Sequence, residues 1–473
     1  MNLSLPLQPT IIVIFGITGD LSQRYLLPAL YNLLKDDLLH DMTEIVGISR
    51  RDVSVDQLLT DLRQHMEAAR QTVNDDAMDK LRQQLRMVKM DLENGEAYNQ
   101  LHEHLDAIEE QTGTCMNRLY YLSVPPTTYA PIIKQLGDAG LNKSCQHDRA
   151  DTRVLIEKPF GFNLTSAQAL IAETDKIFSE QQLFRIDHYL AKETVQNILT
   201  FRFQNPIFEN VWDDDNIASI EIIASEHIGI EGRASFYEPL GALRDFIQSH
   251  LLQLLALITM DKPSSLDSEH IHDSKQRLLS QIKAVPQDAV LEQTVRGQYE
   301  DYREEVDNPA SNTETFAAIK VFIDSPRWQH IPMILWTGKA LTEKRTEICI
   351  NFKNETQQAA NRLRFFIQPQ EGIELDLLTK KPGFETDLQP LAMGFSYEQQ
   401  FGDHDHPNAY ERVLVDAIKG DHTLFATGKE VLDAWRVVQP VLEVWEQSDE
   451  NLPIYKKGTD GKTLVQPLLK TQE

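Results

Sequence analysis

The sequence is short of basic residues. Lys and Arg together number 46 against 72 Asp and Glu, so the formal net charge of the 473 residues is −26. A negative surplus of this size excludes nucleic-acid binding and attachment to anionic membranes as a main role. If the ligands are anionic, the site must be a local cluster of Lys, Arg and His.

Cysteine is also scarce. Cys115, Cys145 and Cys349 are odd in number and widely separated. Their spacing matches neither a metal site nor a redox motif, so we expect reduced thiols, no bound metal and a cytoplasmic protein. The longest apolar stretches, at residues 11–15 and 251–260, are too short or too interrupted to span a bilayer, and we expect no signal peptide. We therefore expect no membrane partner.

The first residues predict a strand, a glycine-rich turn and a helix. Residues 10–15 are a continuous apolar, β-branched run, typical of a strand buried on both faces of a parallel sheet. Gly-Ile-Thr-Gly-Asp-Leu follows at 16–21, and leucines at helical spacing come next. Bare N–H groups at such a turn form an anion site, although any tight turn can carry two glycines. Pro28 predicts a kink, or a short helix followed by a second one.

Basic residues follow two of the next predicted strands. The strand at 44–49 ends at Arg50 and Arg51, where NAD-binding enzymes place a carboxylate for the ribose hydroxyl. Two guanidinium groups there suit the 2′-phosphate of NADP, with a surface arginine pair as the alternative. Lys158 follows a buried strand at 154–156, and ligands bind at the carboxyl ends of parallel strands.

The pattern changes beyond residue 200. Alternation with period two at 220–222, 316–322, 347–352, 362–367 and 373–377 predicts a large, mostly antiparallel sheet. A helix predicted over 241–260 carries Asp245 and His250, which lie about 140° apart if the helix is an α-helix. We also predict helices at 409–418 and 429–445. The predicted fold is an α/β Rossmann-like N-terminal domain over 1–190 and an α+β C-terminal domain over 191–473.

Arg-Ile-Asp-His-Tyr-Leu-Ala-Lys-Glu at 185–193 joins the two halves. Asp187 can hold another imidazole in one tautomer and stabilise its protonated form. His188, Tyr189 and Lys192 can bind a phosphate, and if a helix begins here His188 and Lys192 share one face. The alternative is a solvated linker with ordinary helix charges.

The chain resembles the glucose-6-phosphate dehydrogenase family from about residue 10 to about residue 455. The motifs that carry the resemblance occur in the family's order. They are Gly-Ile-Thr-Gly-Asp-Leu (16–21), Tyr-Leu-Ser-Val-Pro-Pro (121–126), Glu-Lys-Pro-Phe-Gly (157–161), Arg-Ile-Asp-His-Tyr-Leu-Ala-Lys-Glu (185–193), Gly-Ile-Glu-Gly-Arg (229–233), Gly-Ala-Leu-Arg-Asp-Phe-Ile-Gln-Ser-His-Leu-Leu-Gln (241–253), Thr-Val-Arg-Gly-Gln-Tyr (294–299), Ser-Asn-Thr-Glu-Thr-Phe (311–316) and Asp-Ala-Ile-Lys-Gly-Asp (416–421).

The resemblance implies oxidation of glucose 6-phosphate to its lactone with NADP, in the oxidative pentose phosphate pathway, with His250 as general base paired with Asp187. The substrate-binding residues that it implies are Lys158, His188, Tyr189, Lys192, Glu226, Asp245, Lys339 and Lys344. The cofactor-binding residues are Gly16, Thr18, Gly19, Asp20, Leu21, Arg50, Pro125 and Lys158. The family usually forms homodimers or homotetramers through its sheet. The alternatives are a dehydrogenase of another aldose phosphate or a free sugar, and a non-catalytic relative.

The sequence departs from the family's pattern at four positions. Gln23 and Tyr25 replace lysines after the glycine turn, and Ala340 replaces an arginine. These changes remove cations, so we expect weaker binding of one or both anionic ligands unless Arg24 or another cation compensates. Ala191 replaces a glycine and is strained if its φ is positive.

Overall fold

The computed structural model describes residues 7–143, 150–354, 361–402, 407–448 and 452–469. The chain divides into two compact units. The first comprises Met1–Gly161, Thr165–Ala191 and His406–Gly428, and the second comprises Phe162–Leu164, Lys192–Asp405 and Lys429–Glu473. The predicted division into 1–190 and 191–473 did not anticipate that the chain returns to the first unit near residue 407.

The first unit is built on a largely parallel sheet. Numbered in chain order over the whole protein, its described strands are β1 (Thr10–Phe15), β2 (Glu44–Ser49), β3 (Leu85–Lys89), β4 (Asn117–Leu122), β5 (Thr152–Ile156), β6 (Leu183–Ile186) and β15 (Phe425–Ala426). Their spatial order is β15-β6-β5-β4-β1-β2-β3, and β15 alone among them runs antiparallel, beside β6. The order of β1 to β6 is that of a Rossmann sheet, whose direction of winding reverses between β1 and β4.

Helices pack on this sheet. The described α-helices of the first unit are α1 (Leu27–Lys35), α2 (Val55–Ala68), α3 (Asp75–Gln84), α4 (Gly95–Thr112), α5 (Tyr129–Asp138), α6 (Leu164–Thr174) and α15 (Ala409–Lys419). Short 3₁₀ turns lie at Pro126–Thr128 and Glu180–Gln182. A π-helical turn, Ser22–Leu26, precedes α1, and Pro28 lies in the first turn of α1. Proline is tolerated there because first-turn N–H groups have no intrahelical acceptor.

The second unit contains the predicted large sheet. Its described strands are β7 (Ile217–Ser225), β8 (Thr294–Tyr299), β9 (Phe316–Val321), β10 (Met333–Gly338), β11 (Arg345–Phe352), β12 (Arg362–Gln368), β13 (Gly372–Lys380), β14 (Leu388–Ser396) and β16 (Ile454–Tyr455). Their order is β14-β13-β12-β11-β7-β10-β9-β8-β16. Two neighbouring pairs, β7–β10 and β8–β16, are parallel, and the other described pairs are antiparallel. The predicted fold class is confirmed.

One helix of the second unit differs from the prediction. The described α-helices are α7 (Glu193–Gln204), α8 (Pro206–Glu209), α9 (Ala234–Tyr237), α10 (Leu252–Thr259), α11 (Ser268–Gln281), α12 (Val290–Gln293), α13 (Tyr302–Glu305), α14 (Tyr397–Phe401), α16 (Gly428–Gln447) and α17 (Gly461–Leu469). Short 3₁₀ turns lie at Gln287–Ala289 and Pro326–Trp328. Leu243–Leu251, predicted as α-helix, is a π-helix that continues into α10. Within the described ranges, no helix has the length and apolar character needed to cross a membrane.

Two further expectations are wrong. Strand β6 ends at Ile186, and α7 begins only at Glu193 with Lys192 as its N-cap, so His188 and Lys192 do not share a helix face. Cys115 is in a disulfide, whereas the buried Cys349 is a free thiol as expected. Cys145 lies outside the described residues.

A buried ion cluster joins α11 to α16 inside the second unit. Lys275 and Glu430 are fully buried and form an ion pair at 3.0 Å, and His272 Nδ1 lies 2.9 Å from the same carboxylate. Burial alone would raise the pKa of Glu430, but the charges of Lys275 and His272 lower the pKa from 4.5 to about 2. The ionised carboxylate therefore stabilises the fold above the ordinary pKa, and this stabilisation is lost as the pH falls towards 2.

We expect Lys275→Met to destabilise the second unit by about 3–5 kcal/mol, because it leaves the Glu430 carboxylate buried without its cation. Denaturant unfolding at neutral pH measures this loss. Lys283→Met is the matched control, since it removes a lysine from an exposed pair with Asp324 and should cost less than about 1 kcal/mol. Equal losses in the two variants would contradict the assignment of the buried cluster as a stabilising element.

Candidate functional site

The glycine turn after β1 is fixed by a close backbone approach. Gly16 has a φ of +83°, and its N–H donates to the carbonyl of Ile48 at 3.1 Å. A Cβ at Gly16 would lie 2.3 Å from the carbonyl oxygen of Ser123, which follows β4. Ser22 Oγ lies within hydrogen-bond distance of both the Gly16 carbonyl, at 3.1 Å, and Ser123 Oγ, at 2.9 Å. The turn therefore sits where the sheet reverses its winding, the usual ligand position in such sheets.

Other predicted cofactor-binding residues surround this turn. Thr18 Oγ1 lies 3.4 Å from Ser49 Oγ, so the turn contacts the end of β2, and the exposed Arg50 follows directly. Gly19 donates its N–H to the Gly16 carbonyl at 2.9 Å. Leu21 is the N-cap of the π-helical turn, Pro125 follows β4 and Lys158 follows β5, so all three lie at the same edge of the sheet. The structure thus collects the predicted cofactor residues at one sheet edge.

Arg24, the cation expected to compensate for Gln23 and Tyr25, pairs with a neighbouring carboxylate. Arg24 Nε is 2.7 Å from the carboxylate of Asp20, and both side chains are largely exposed. Gln23 Nε2 contacts the carbonyl of Ile17 at the limit of hydrogen bonding, 3.5 Å. Tyr25, 49% exposed, stacks on the ring of Tyr410. Arg24 is therefore paired with Asp20, and an aromatic ring stands where the resemblance implies a cation.

A second group of polar side chains lies at the ends of β4, β5 and β6. His188 Nε2 donates to the Glu157 carboxylate, at 3.1 and 3.2 Å from its two oxygens, and the Tyr121 hydroxyl donates to the same group. Burial would raise the pKa of Glu157, but His188 and Tyr121 outweigh burial and lower the pKa. The Tyr410 ring lies 4.1 Å from the His188 ring. Tyr121, Glu157 and Tyr410 were not predicted as site residues, although Tyr121 and Glu157 each begin a motif that carries the resemblance.

The remaining residues of the linking segment follow β6. Asp187 is 4% exposed, and its Oδ1 accepts the N–H of Tyr189 at 2.9 Å. Tyr189 and Lys192 are half-buried. Ala191 is not among the described residues with positive φ, so the conditional expectation of strain at this position does not apply.

In the second unit, two parallel strands bring a carboxylate and an ammonium group together. Glu226 follows β7 and Lys339 follows β10, and the N–H of Glu226 donates to the carbonyl of Gly338 at 2.9 Å. The Lys339 ammonium group forms an ion pair with the Glu226 carboxylate. The ammonium nitrogen also lies 5.0 Å from the Tyr237 ring centroid and 5.9 Å from that of Phe246. Aromatic faces at these distances attract the cation.

The π-helix Leu243–Leu251 adds Asp245 and His250 to this cluster. Both are buried, at 9% and 4% exposure, and the Phe246 ring lies 5.4 Å from the His250 ring. Burial and then the charge of Asp245 raise the pKa of Tyr237, which ties Asp245 electrostatically to the same cluster. Backbone hydrogen bonds of a π-helix join residues five apart, so Asp245 and His250 follow one another by one turn. The predicted separation of about 140°, which assumed an α-helix, is therefore wrong.

Two residues flank this cluster. Ala340, which follows Lys339, is buried and has a φ of +53°, a left-handed conformation that disfavours any side chain. Lys344 is exposed and directly precedes β11.

Asp187 and His250 belong to different units, so their predicted pairing stays a prediction.

Comparison with known families finds matches along nearly the whole chain. A family model described as "Glucose-6-phosphate dehydrogenase, NAD binding domain" matches residues 13–197. A second, described as "Glucose-6-phosphate dehydrogenase, C-terminal domain", matches residues 199–473. The boundary between the matches falls in α7.

Individual proteins that are similar to this chain carry the same family name. The chain is 38% identical over 477 residues to a glucose-6-phosphate 1-dehydrogenase of Chlamydia muridarum, covering 95% of this chain and 93% of the relative. It is 37% identical to one of Dickeya dadantii, covering 95% and 94%. A solved glucose-6-phosphate dehydrogenase in complex with its substrate glucose-6-phosphate matches with a TM-score of 0.89 and 30% identity over 100% of both chains. One from Mycobacterium avium matches with a TM-score of 0.83 and 31% identity over 98% and 99%.

We expect Gly16→Ala to weaken dinucleotide binding about tenfold or more, because relieving the contact with Ser123 displaces the turn. Calorimetric titration with NADP measures the effect. Gly113→Ala is the matched control, since Gly113 also has a positive φ, +68°, but nothing lies within 4 Å of an added Cβ. The free energy of unfolding of Gly113→Ala should fall by about 1 kcal/mol, while its affinity for NADP should be unchanged. Wild-type affinity in Gly16→Ala would show that the turn does not hold the dinucleotide.

Proposed function

Since the chain belongs to the glucose-6-phosphate dehydrogenase family, we propose that it oxidises glucose 6-phosphate to 6-phosphogluconolactone with NADP. The observation that carries the proposal is the second-unit cluster. A buried imidazole, two carboxylates and an ammonium group lie around Tyr237 and Phe246. These are the groups needed to orient a sugar and remove one proton.

His250 is the general base in this proposal. Its imidazole takes the proton of the anomeric hydroxyl as the C1–O bond becomes a carbonyl and the hydride leaves C1. Neutral imidazole suits this step because its ordinary pKa lies close to physiological pH. Asp187 is the proposed partner that favours the imidazolium formed. A bound nicotinamide supplies the hydride acceptor.

The sugar and its phosphate are bound by separate groups. Glu226, Asp245 and Lys339 meet the sugar hydroxyls, because carboxylates accept hydrogen bonds from hydroxyl groups and ammonium groups donate hydrogen bonds to them. His188, Tyr189 and Lys192 bind the phosphate, and Lys158 and Lys344 complete the positive surroundings. These groups supply the cations that a chain with a net charge of −26 needs for an anionic substrate.

Backbone geometry supports dinucleotide binding at the first unit. The turn at Gly16 leaves no room for a side chain against Ser123, which suits close approach of a pyrophosphate to the backbone. Arg50 is exposed beyond the end of β2 and suits a 2′-phosphate, which favours NADP over NAD. A cytoplasmic location, where both ligands occur, is part of the proposal.

The absence of basic side chains at positions 25 and 340 favours an alternative substrate. Tyr25 and Ala340 stand where the family has basic residues, so a different aldose phosphate or a free sugar is the second candidate substrate. A panel of sugars with and without a 6-phosphate, each assayed with NADP and NAD, separates the two substrate proposals. Binding of ligands without turnover of any pair would favour a non-catalytic relative.

We expect His250→Asn to lower turnover about 10²- to 10⁴-fold, the range for loss of a general base, while NADP affinity stays near the wild-type value. Nicotinamide absorbance and a cofactor titration measure the two effects. His270→Asn is the control, because it removes an exposed imidazole of the same unit and should leave turnover unchanged. Retained turnover in His250→Asn would reject this residue as the base.

We also propose that the chain forms homodimers or homotetramers through its large sheet. Strand β14 is an edge strand that pairs only with β13 among the described strands. Its side chains Leu391, Met393 and Phe395 are 48%, 63% and 39% exposed. Exposed apolar residues at alternate positions of an unpaired edge strand can pack against a second chain.

We expect Met393→Glu to shift the protein towards monomers, because a carboxylate on this strand would be buried without a partner. Light scattering after size exclusion measures the mass. Leu291→Glu, at a leucine that is 68% exposed on α12, is the control and should keep the wild-type mass. A Met393→Glu protein with unchanged mass would exclude β14 from the interface.

A further inference from the structure

Three rings of the first unit form a continuous stack. The rings of Tyr25 and Tyr410 have centroids 5.0 Å apart and planes within 8° of parallel. Tyr410 and His188 have centroids 4.1 Å apart and planes at 35°. The stack brings together the π-helical turn Ser22–Leu26, the first turn of α15 and the turn after β6, three segments far apart in the sequence.

The His188 imidazole, at the end of the stack, is hydrogen-bonded through one ring nitrogen and also contacted by the Tyr410 ring. Nε2 donates to the Glu157 carboxylate, and that carboxylate is itself buried and hydrogen-bonded by Tyr121. Nδ1 of His188 is shielded from solvent and has no hydrogen-bond partner among the described residues. One ring nitrogen is thus bonded to the carboxylate, and the other is not satisfied by any described residue. A buried polar atom in this state points to a function.

The Tyr410 ring is itself firmly placed. Asn408 caps α15 and accepts the N–H of Tyr410 at 2.9 Å, and Glu411 accepts a hydrogen bond from Asn32 on α1 at 2.7 Å. The backbone on both sides of Tyr410 is therefore anchored where its ring meets that of His188. Burial, and then the charge of Glu157, raise the pKa of Tyr410, so the phenol stays neutral.

We propose that Tyr410, backed by Tyr25, is a positioning residue that holds the His188 imidazole against Glu157 so that it can bind the substrate phosphate. The proposal deepens the proposed function and rests on it. Tyr410 does not itself touch the substrate in this scheme. The Tyr25 ring stacks on the Tyr410 ring and supports it.

The test compares two substitutions at one position. Tyr410→Leu removes the aromatic face and should raise the KM for glucose 6-phosphate about 5- to 10-fold, with kcat and the KM for NADP changed by less than about twofold. Tyr410→Phe keeps the face and should match the wild type in all three constants. Tyr98→Leu removes another buried ring of the first unit, which lies outside the stack, and reports the effect of lost packing alone.

A double-mutant cycle with His188→Ala shows whether the effect passes through the imidazole. In the His188→Ala background, Tyr410→Leu should raise the KM for glucose 6-phosphate by less than about twofold further, since coupled residues are non-additive. The same 5- to 10-fold rise in both backgrounds, or equal defects in Tyr410→Leu and Tyr98→Leu, would overturn the positioning role. Wild-type KM in Tyr410→Leu would overturn it too. Absence of glucose 6-phosphate turnover in the wild type would instead overturn the proposed function on which it rests.

Discussion

In each unit, a carboxylate that directly follows a strand holds a nitrogen-bearing side chain. Glu157 follows β5 and holds His188, and Glu226 follows β7 and holds Lys339. Each sheet places its carboxylate, and the carboxylate holds the partner side chain. In each cluster, polar groups are therefore positioned before a ligand binds, which lowers the conformational entropy that binding must overcome.

The two π-helical segments place functional side chains differently from α-helices. Ser22–Leu26 lies directly after the glycine turn and carries Tyr25, and Leu243–Leu251 carries Asp245 and His250. The wider turn brings residues five apart into line, whereas an α-helix aligns residues three or four apart. π-Helical turns are uncommon and often occur at functional sites. Both π-helical segments of this protein carry residues discussed at the candidate site.

Structure could be predicted from the sequence where the local residue pattern decides it. The apolar run at 10–15 and the alternation at 347–352 predicted strands correctly, because the residues of each strand themselves indicate which faces are buried. The α-helix predicted over Leu243–Leu251 was wrong, because apolar residues at Leu243, Ile247 and Leu251 suit an α-helix and a π-helix alike. Tyr410 was missed for another reason. Its partners Tyr25 and His188 are hundreds of residues away, and no local signal encodes a contact of that range.

The first unit is completed only by residues near 407–428. It therefore cannot be finished until most of the chain has been synthesised. Strand β15 covers the edge of β6, Phe425 packs against Phe184, and Arg153 binds the last carbonyl groups of α15. During translation, the six parallel strands leave the ribosome long before this segment exists. Their sheet must wait with an unpaired edge, which is a hazard for aggregation. A nascent chain that stalls within the second unit therefore carries an unfinished first unit, even though every strand of its parallel sheet has been made.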